Sequence, residues 1–174
     1  MIAGSAGMPS RESERSPASK LGWIGDKRLE KPAHVHTAFI RGTVEEVWDA
    51  IVNPAMTQQY YFGTRVESDW AVGSQRTYTY PDGTLAATGE IISIDPPKRL
   101  VATFHPRCDE ALEAEVPIRE VWALDESNGV VQLTVGYYEI EERTLEDFLG
   151  GLPYIISGLK SLVETGQPLP TASA

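Results

Sequence analysis

Few side chains in this sequence could do chemistry: three histidines, one cysteine, and carboxylates and tyrosines scattered along the chain. His34 and His36 stand two apart in a β-prone stretch, so they share one strand face. With a third ligand such a pair could hold a metal. No carboxylate or cysteine falls at a companion spacing, and no metal is expected. His105 closes an apolar stretch and could act as a general base if Glu120, on the next strand, were its partner. Otherwise it is a histidine at a pocket rim. Cys108 sits beside Asp109 and Glu110, whose charges raise a thiol's pKa and blunt its reactivity. There is no Gly-x-Ser-x-Gly elbow, phosphate-binding glycine loop or His-Glu-x-x-His helix. The acidic run 109–115 lacks the spaced Asp/Asn–Gly pattern of a calcium loop. Gly150-Gly151 before Pro153 reads as a hinge or a close-packing site.

Aromatic residues are the richer signal. Phe62, Trp70, Tyr78, Trp122 and Tyr137, with His105 and Ile155, are the candidates for lining an apolar pocket. Ordinary core packing accounts for any single one of them equally well. Trp48 falls on the buried stripe of a helix and reads as core. Arg76, Glu90, Arg119 and Glu120 interrupt apolar strands and are expected to face solvent. The alternative puts Arg119 or Glu120 in the pocket, where a buried charge requires a partner.

The elements that must position these residues follow from periodicity and punctuation. His34–Arg41 reads as a strand between Pro32 and Gly42. Thr43 and Glu46 can form a capping box, and Val44, Val47, Trp48, Ile51 and Val52 share a helical face. Asn53-Pro54 ends that helix and starts a second short one reaching about Tyr61. Period-two segments follow at 75–80, 84–94, 100–105, 117–124 and 130–139. The turns between them include Pro81-Asp82-Gly83 and Asp95-Pro96-Pro97-Lys98. Residues 106–114 read as a longer loop that could gate a pocket. Leu152, Ile155, Ile156, Leu159, Leu162 and Val163 make the apolar stripe of a last helix, which Gly166 closes. Pro153 is costly inside a helix. The main helix is therefore expected to start near Leu152, with Leu145–Leu149 as a separate turn or a kinked extension. The fold class is α+β: a curved antiparallel sheet of about six strands gripping a long C-terminal helix, with two short helices after the first strand. The space between helix and sheet is the natural place for a ligand.

The chain has 174 residues, 41% of them hydrophobic, and a net charge of −10. That suffices for one core. No apolar run is long enough to span a membrane. Acidity disfavours nucleic acid and anionic lipid surfaces as partners. Residues 1–32 are rich in Ser, Gly, Pro and charge and are expected to be a disordered tail, with Trp23 docking locally. Residues 33–168 form the domain and 169–174 a flexible end. One cysteine leaves no internal disulfide and fits a cytoplasmic location.

Several segments carry a resemblance. They are Thr43-Val-Glu-Glu-Val-Trp-Asp-Ala-Ile51 with Asn53-Pro54, Gln59-Tyr-Tyr-Phe-Gly63, Glu67-Ser-Asp-Trp70 with Val72-Gly73, and Tyr80-Pro-Asp-Gly83. Gly89-Glu90, Asp95-Pro-Pro-Lys-Arg-Leu100, Gly150-Gly-Leu-Pro153 and Leu159-Lys-Ser-Leu-Val-Glu-Thr-Gly166 complete the set. In this order and spacing the chain resembles the SRPBCC superfamily, with its START-like, Bet v-like helix-grip fold. More narrowly it is similar to bacterial homologues of the activator of the heat-shock-90 chaperone ATPase, in their C-terminal domain. The resemblance covers residues 33 to 168. It implies a fold and a cavity rather than a reaction, because the superfamily includes lipid carriers, hormone binders, polyketide cyclases, oxygenase subunits and chaperone activators. The eukaryotic activator has an additional N-terminal domain, where this chain has only its tail. The resulting expectation is non-enzymatic binding of a small hydrophobic or aromatic ligand, without a cofactor, by a monomer or homodimer. The alternatives are a chaperone-activator-like protein-interaction module linked to stress response, and a cyclase- or hydrolase-type enzyme using His105.

Overall fold

The computed structural model describes residues 23–24, 27–28, 31–107, 116–140 and 142–170. Most of the expected tail and nearly all of the expected gating loop lie outside these residues. Near the start, β1 (Trp23–Ile24) pairs with β2 (Lys27–Arg28) in a short antiparallel ladder. The main sheet begins with β3 (His34–Arg41).

The capping box forms as the sequence dictates. Thr43 accepts from the Glu46 amide and the Glu46 carboxylate accepts from the Thr43 amide, opening α1 (Val44–Val52). Glu126 adds a second carboxylate, accepting from the Val44 amide. Asn53 closes α1 and caps α2 (Pro54–Tyr60), its side chain accepting from the Ala55 amide. One residue thus sets the angle between two helices.

Six strands then run as a meander: β4 (Arg65–Ser68), β5 (Gln75–Thr79), β6 (Leu85–Asp95), β7 (Arg99–Pro106), β8 (Ile118–Ser127) and β9 (Val130–Tyr138). With β3 beside β9, the order is β3-β9-β8-β7-β6-β5-β4 and every neighbouring pair is antiparallel. The sheet has seven strands, in keeping with the expected curved antiparallel sheet of about six. β4, Arg-Val-Glu-Ser, is a four-residue edge strand. Register shifts at Tyr78/Thr79 and Ile91/Ser93 bend the sheet.

The last helix, α3, runs unbroken over Glu142–Thr165 with Pro153 inside it. Of the two expected arrangements the separate turn is absent, since 145–149 belong to the helix. Proline removes the bond to the carbonyl four residues back, here Leu149. Leu149 and Gly150 lie at the surface, where water can take up that carbonyl. The inner face of the sheet and the apolar stripe of α3 make the main core, including Ile40, Leu100, Trp122, Leu133, Val135, Ile156 and Leu159. Lys160 donates to the Phe39 carbonyl, and Glu164 accepts from the Arg41 amide at 2.7 Å, so α3 also bonds the free edge of β3.

Two glycines permit close approaches. A Cβ on Gly89 would stand 1.9 Å from the Thr103 carbonyl oxygen. A Cβ on Gly158 of α3 would stand 3.0 Å from the Cβ of Tyr60 on α2. His34 and His36 face inward from β3, opposite Tyr137 and Val135. Burial lowers the pKa of His36, and the charge of His34 adds to this.

Two predictions follow from these contacts. Gly89→Ala is expected to cost about 3 kcal/mol or more, because backbone rather than a flexible side chain must move; a chemical denaturation midpoint within error of wild type contradicts the contact. With a folded pKa below 6.5, His36 costs stability once the unfolded chain begins to protonate. Stability should be full above about pH 6.5 and decline as pH falls below it. His36→Gln should flatten the melting temperature between pH 7.5 and 5.5. An unaltered slope would assign the decline to other groups.

Candidate ligand-binding cavity

The inner face does not close completely. Val66, Tyr78, Ala86, Ala87 and Phe104 form an apolar cluster of their own on β4 to β7, separate from the main core. Tyr61 and Trp70 pack against both clusters. A cavity of about 250 Å³ opens beside this cluster, reaching the α2–β4 connection, β9 and α3. It is slightly smaller than the ~300–1,000 Å³ usual for ligand pockets. It would hold roughly eight waters at ~30 Å³ each, which is ample for a one- or two-ring molecule.

Its walls are aromatic. Tyr61 stacks on Tyr78 at 4.7 Å, and Tyr78 meets Phe104 edge-on at 5.7 Å. Phe62 stacks on Tyr154 at 6.1 Å with ring planes 10° apart. The Phe62 ring lies where Gly151 leaves space, 3.6 Å from the position of an added Cβ. Phe62 is 48% exposed and has φ +50°, a left-handed conformation costly for a phenylalanine. An exposed aromatic held in a strained backbone at a cavity wall is the kind of feature that collects at binding sites. Small residues, Ala86, Ala87 and Gly151, keep the volume open.

Beneath Tyr78 and Phe104 lies a buried ion pair. Arg76 Nη2 stands 2.7 Å from Glu120 Oε1, and each side chain is 1% exposed. The same nitrogen donates to the Thr103 carbonyl at 3.0 Å. The guanidinium carbon lies 5.3 Å from the Tyr78 ring centre and 5.9 Å from that of Phe104. Nη2 also passes Gly89, at 3.6 Å from where a Cβ would stand, an ordinary contact distance. Arg76 Nε, Glu120 Oε1 and Trp122 Nε1 have no directed hydrogen bond. The Nη2–Oε1 contact is therefore a close ion pair off the hydrogen-bonding direction. Burial works against the Arg76 charge, but Glu120 outweighs it and holds the guanidinium pKa above its ordinary value.

Burial also raises the tyrosines. Tyr78 is pushed up to about 12, chiefly by desolvation, with Arg76 opposing and Glu120 adding to the rise. Tyr61 and Tyr137 are raised further by burial and by their neighbours, Glu120 among them. At ordinary pH these groups remain neutral O–H donors.

Of the residues singled out from sequence, Phe62, Tyr78, Tyr137 and Ile155 line the cavity, and Trp70, His105 and Trp122 do not. Trp122 packs in the main core. Trp70 has φ +52° and buttresses Tyr61 and its neighbours without lining the space. On β7, Leu100, Ala102 and Phe104 face inward, so His105 faces outward, opposite Thr88. Glu120 is opposite Ala102 and faces inward. The sheet thus separates His105 from Glu120, and the acid–base pairing is absent. The expectation of solvent-facing charges fails for Arg76 and Glu120, which find each other inside. It fits Glu90, which is exposed, and Arg119, which meets Glu139 at 3.0 Å on the outer face. The other lining residues, including Tyr61, Thr64, Tyr80, Ala87, Phe104, Pro106 and Leu152, were not singled out. Strand parity carried the signal for Phe104, because it shares a face with Leu100. Removing one partner of a buried ion pair leaves an unpaired charge. Arg76→Met is expected to cost about 3–5 kcal/mol, and Arg76→Met with Glu120→Leu to recover most of it. A double variant as unstable as the single one would show that the pair is not the source of the loss.

Comparison with known proteins agrees with this architecture. Among curated proteins none matches the chain in sequence. CalU16 from Micromonospora echinospora is similar in structure, with 19% identity, a TM-score of 0.62, and 78% of this chain and 76% of that one covered. DynU16, from the dynemicin biosynthetic locus, gives 18% identity and a TM-score of 0.64 over 80% of this chain and 55% of its own. A protein of Mesorhizobium loti gives 17% identity and a TM-score of 0.62 over 75% and 96%. At these identities the likeness is one of fold, the helix-grip α+β arrangement. The family model described as activator of Hsp90 ATPase homolog 1-like protein matches residues 41–164, well over half of the chain. The chain belongs to the activator of Hsp90 ATPase homolog 1-like family.

Proposed function

We propose that this protein is a binding module that holds a small aromatic or hydrophobic ligand between the sheet and α3, without transforming it. The observation that carries the reading is the partly open, aromatic-walled cavity of about 250 Å³ between the sheet and α3. Its apolar walls lack dispersion contacts where no side chain fills the space. A ligand that fills the space restores those contacts and buries apolar surface at about 25 cal/mol per Å² before association costs. The tyrosine hydroxyls supply a few polar contacts to orient it. Among the described lining residues the titratable groups are tyrosines, of which burial keeps Tyr61, Tyr78 and Tyr137 neutral, so no acid–base or nucleophilic pair there supports catalysis.

The family's name favours a second reading, in which the domain contacts a chaperone. It draws on apolar side chains left at the surface, of which Phe39 and Val72 are 60% and 68% exposed. The two stand on separate strands and loops and do not form one patch with the cavity. No helix among the described residues is long and apolar enough to cross a membrane.

Native mass spectrometry of the protein from its source, followed by mild unfolding, is the direct test. Release of a small molecule on unfolding supports the reading and names the ligand class. Capture of a heat-shock chaperone by an apo protein supports the second reading instead. A filling substitution gives an independent check. Ala87→Leu should weaken binding of an aromatic probe such as naphthalene at least tenfold while leaving cooperative unfolding in place. Undiminished probe binding would exclude this cavity as the site.

A further inference from the structure

The cavity has a chemical bias that bears on what it selects. None of its described lining residues carries a charge. The polar side chains among its lining residues carry hydroxyls, on Tyr61, Tyr78, Tyr80, Tyr137 and Thr64, and the Thr64 hydroxyl already donates to the Tyr61 carbonyl at 2.7 Å. The one cation beneath the wall, Arg76, stands behind the rings of Tyr78 and Phe104. It is 2.7 Å from the Glu120 carboxylate, so seen from the cavity the two charges largely cancel. The chain as a whole carries a net −10, which also repels anions.

We infer that the site takes an uncharged aromatic molecule bearing a hydrogen-bond acceptor, such as a carbonyl or hydroxyl oxygen, and rejects the carboxylate of the same skeleton. This rests on the cavity reading and specifies its ligand. Neutral tyrosine hydroxyls donate to a carbonyl as readily as to a carboxylate. An ion, however, would give up its hydration for a site that offers no net opposite charge. Glu120 is then the residue that sets selectivity, through Arg76 rather than by touching the ligand. Without its charge, Arg76 would present an uncancelled cation behind the aromatic wall and draw a carboxylate in.

The test uses the full chain and three probes of one skeleton: naphthalene, 2-acetylnaphthalene and 2-naphthoate, titrated by ligand-observed NMR at pH 7. The ketone should bind at least tenfold more tightly than the carboxylate. In Glu120→Gln the ketone-to-carboxylate ratio should fall at least fivefold, toward the anion. Naphthalene binding with the carboxylate equal to or tighter than the ketone overturns the selectivity while leaving the cavity reading intact. If all three probes fail at millimolar concentration, the cavity reading and this inference fall together. An unchanged ratio in a folded Glu120→Gln protein removes the role given to the ion pair. The wild-type comparison decides the selectivity by itself if that variant does not fold.

Discussion

Taking a guanidinium and a carboxylate out of water costs several kcal/mol per ion even after the protein relaxes. The Arg76–Glu120 pair imposes that constraint on four neighbouring strands together. Arg76 belongs to β5 and Glu120 to β8, with β6 and β7 between them. For the two side chains to meet at 2.7 Å, the inner face of the sheet must curve and its middle must be thin. Gly89 on β6 and Ala102 on β7 are the small residues that allow this, and the bulges on either side of Gly89 provide the bend. Tyr78 and Phe104 then roof the guanidinium and become the cavity wall. The polar pair and the apolar pocket are thus two faces of one arrangement. The pair fixes where the aromatic rings stand, and the rings keep water from the pair.

The cavity itself is maintained by what surrounds it. A helix that packed tightly along its full length would close the space. α3 instead presents Gly151 beside Phe62, lines the space with Leu152 and Ile155, and packs Ile156, Leu159 and Leu162 further along into the main core. There Gly158 lets α2 approach closely, and Tyr60 donates its hydroxyl to the Ala50 carbonyl at 2.8 Å. One end of the molecule is packed and the other is open. Stability resides at the packed end, which leaves the open end free to retain strain such as the left-handed Phe62.

Much of this was legible in the sequence because the local signals agree. The capping box at Thr43, the double use of Asn53, the Pro81-Asp82-Gly83 turn and the Gly166 stop each rest on short-range chemistry, and each stands as read. A separate turn at 145–149 was one of two arrangements left open, because Pro153 was judged without its surroundings, where exposed Leu149 and Gly150 make a missing hydrogen bond cheap. The site was legible only in part. Aromatic content pointed to Phe62, Tyr78 and Tyr137, but His105 depends on strand parity, where a register of one residue decides the face, and Trp122 faces inward yet packs in the main core away from the cavity. For Glu120 the sequence offered burial with a partner only as the alternative, and nothing in it named Arg76 as that partner. The partners are 44 positions apart, and a charge in an apolar strand looks the same in sequence whether it turns to water or to a partner across the sheet.

The side chains that α3 lends to β3 have a consequence for assembly. An outermost strand presents a row of free amides and carbonyls on which another chain can build. Here Lys160 occupies the Phe39 carbonyl and Glu164 the Arg41 amide, and the two side chains also pair with each other at 2.7 Å. The Arg41 end of the β3 rim is thereby occupied by the protein's own helix. Pairing of another chain with that end of the strand would require this helix turn to release both groups.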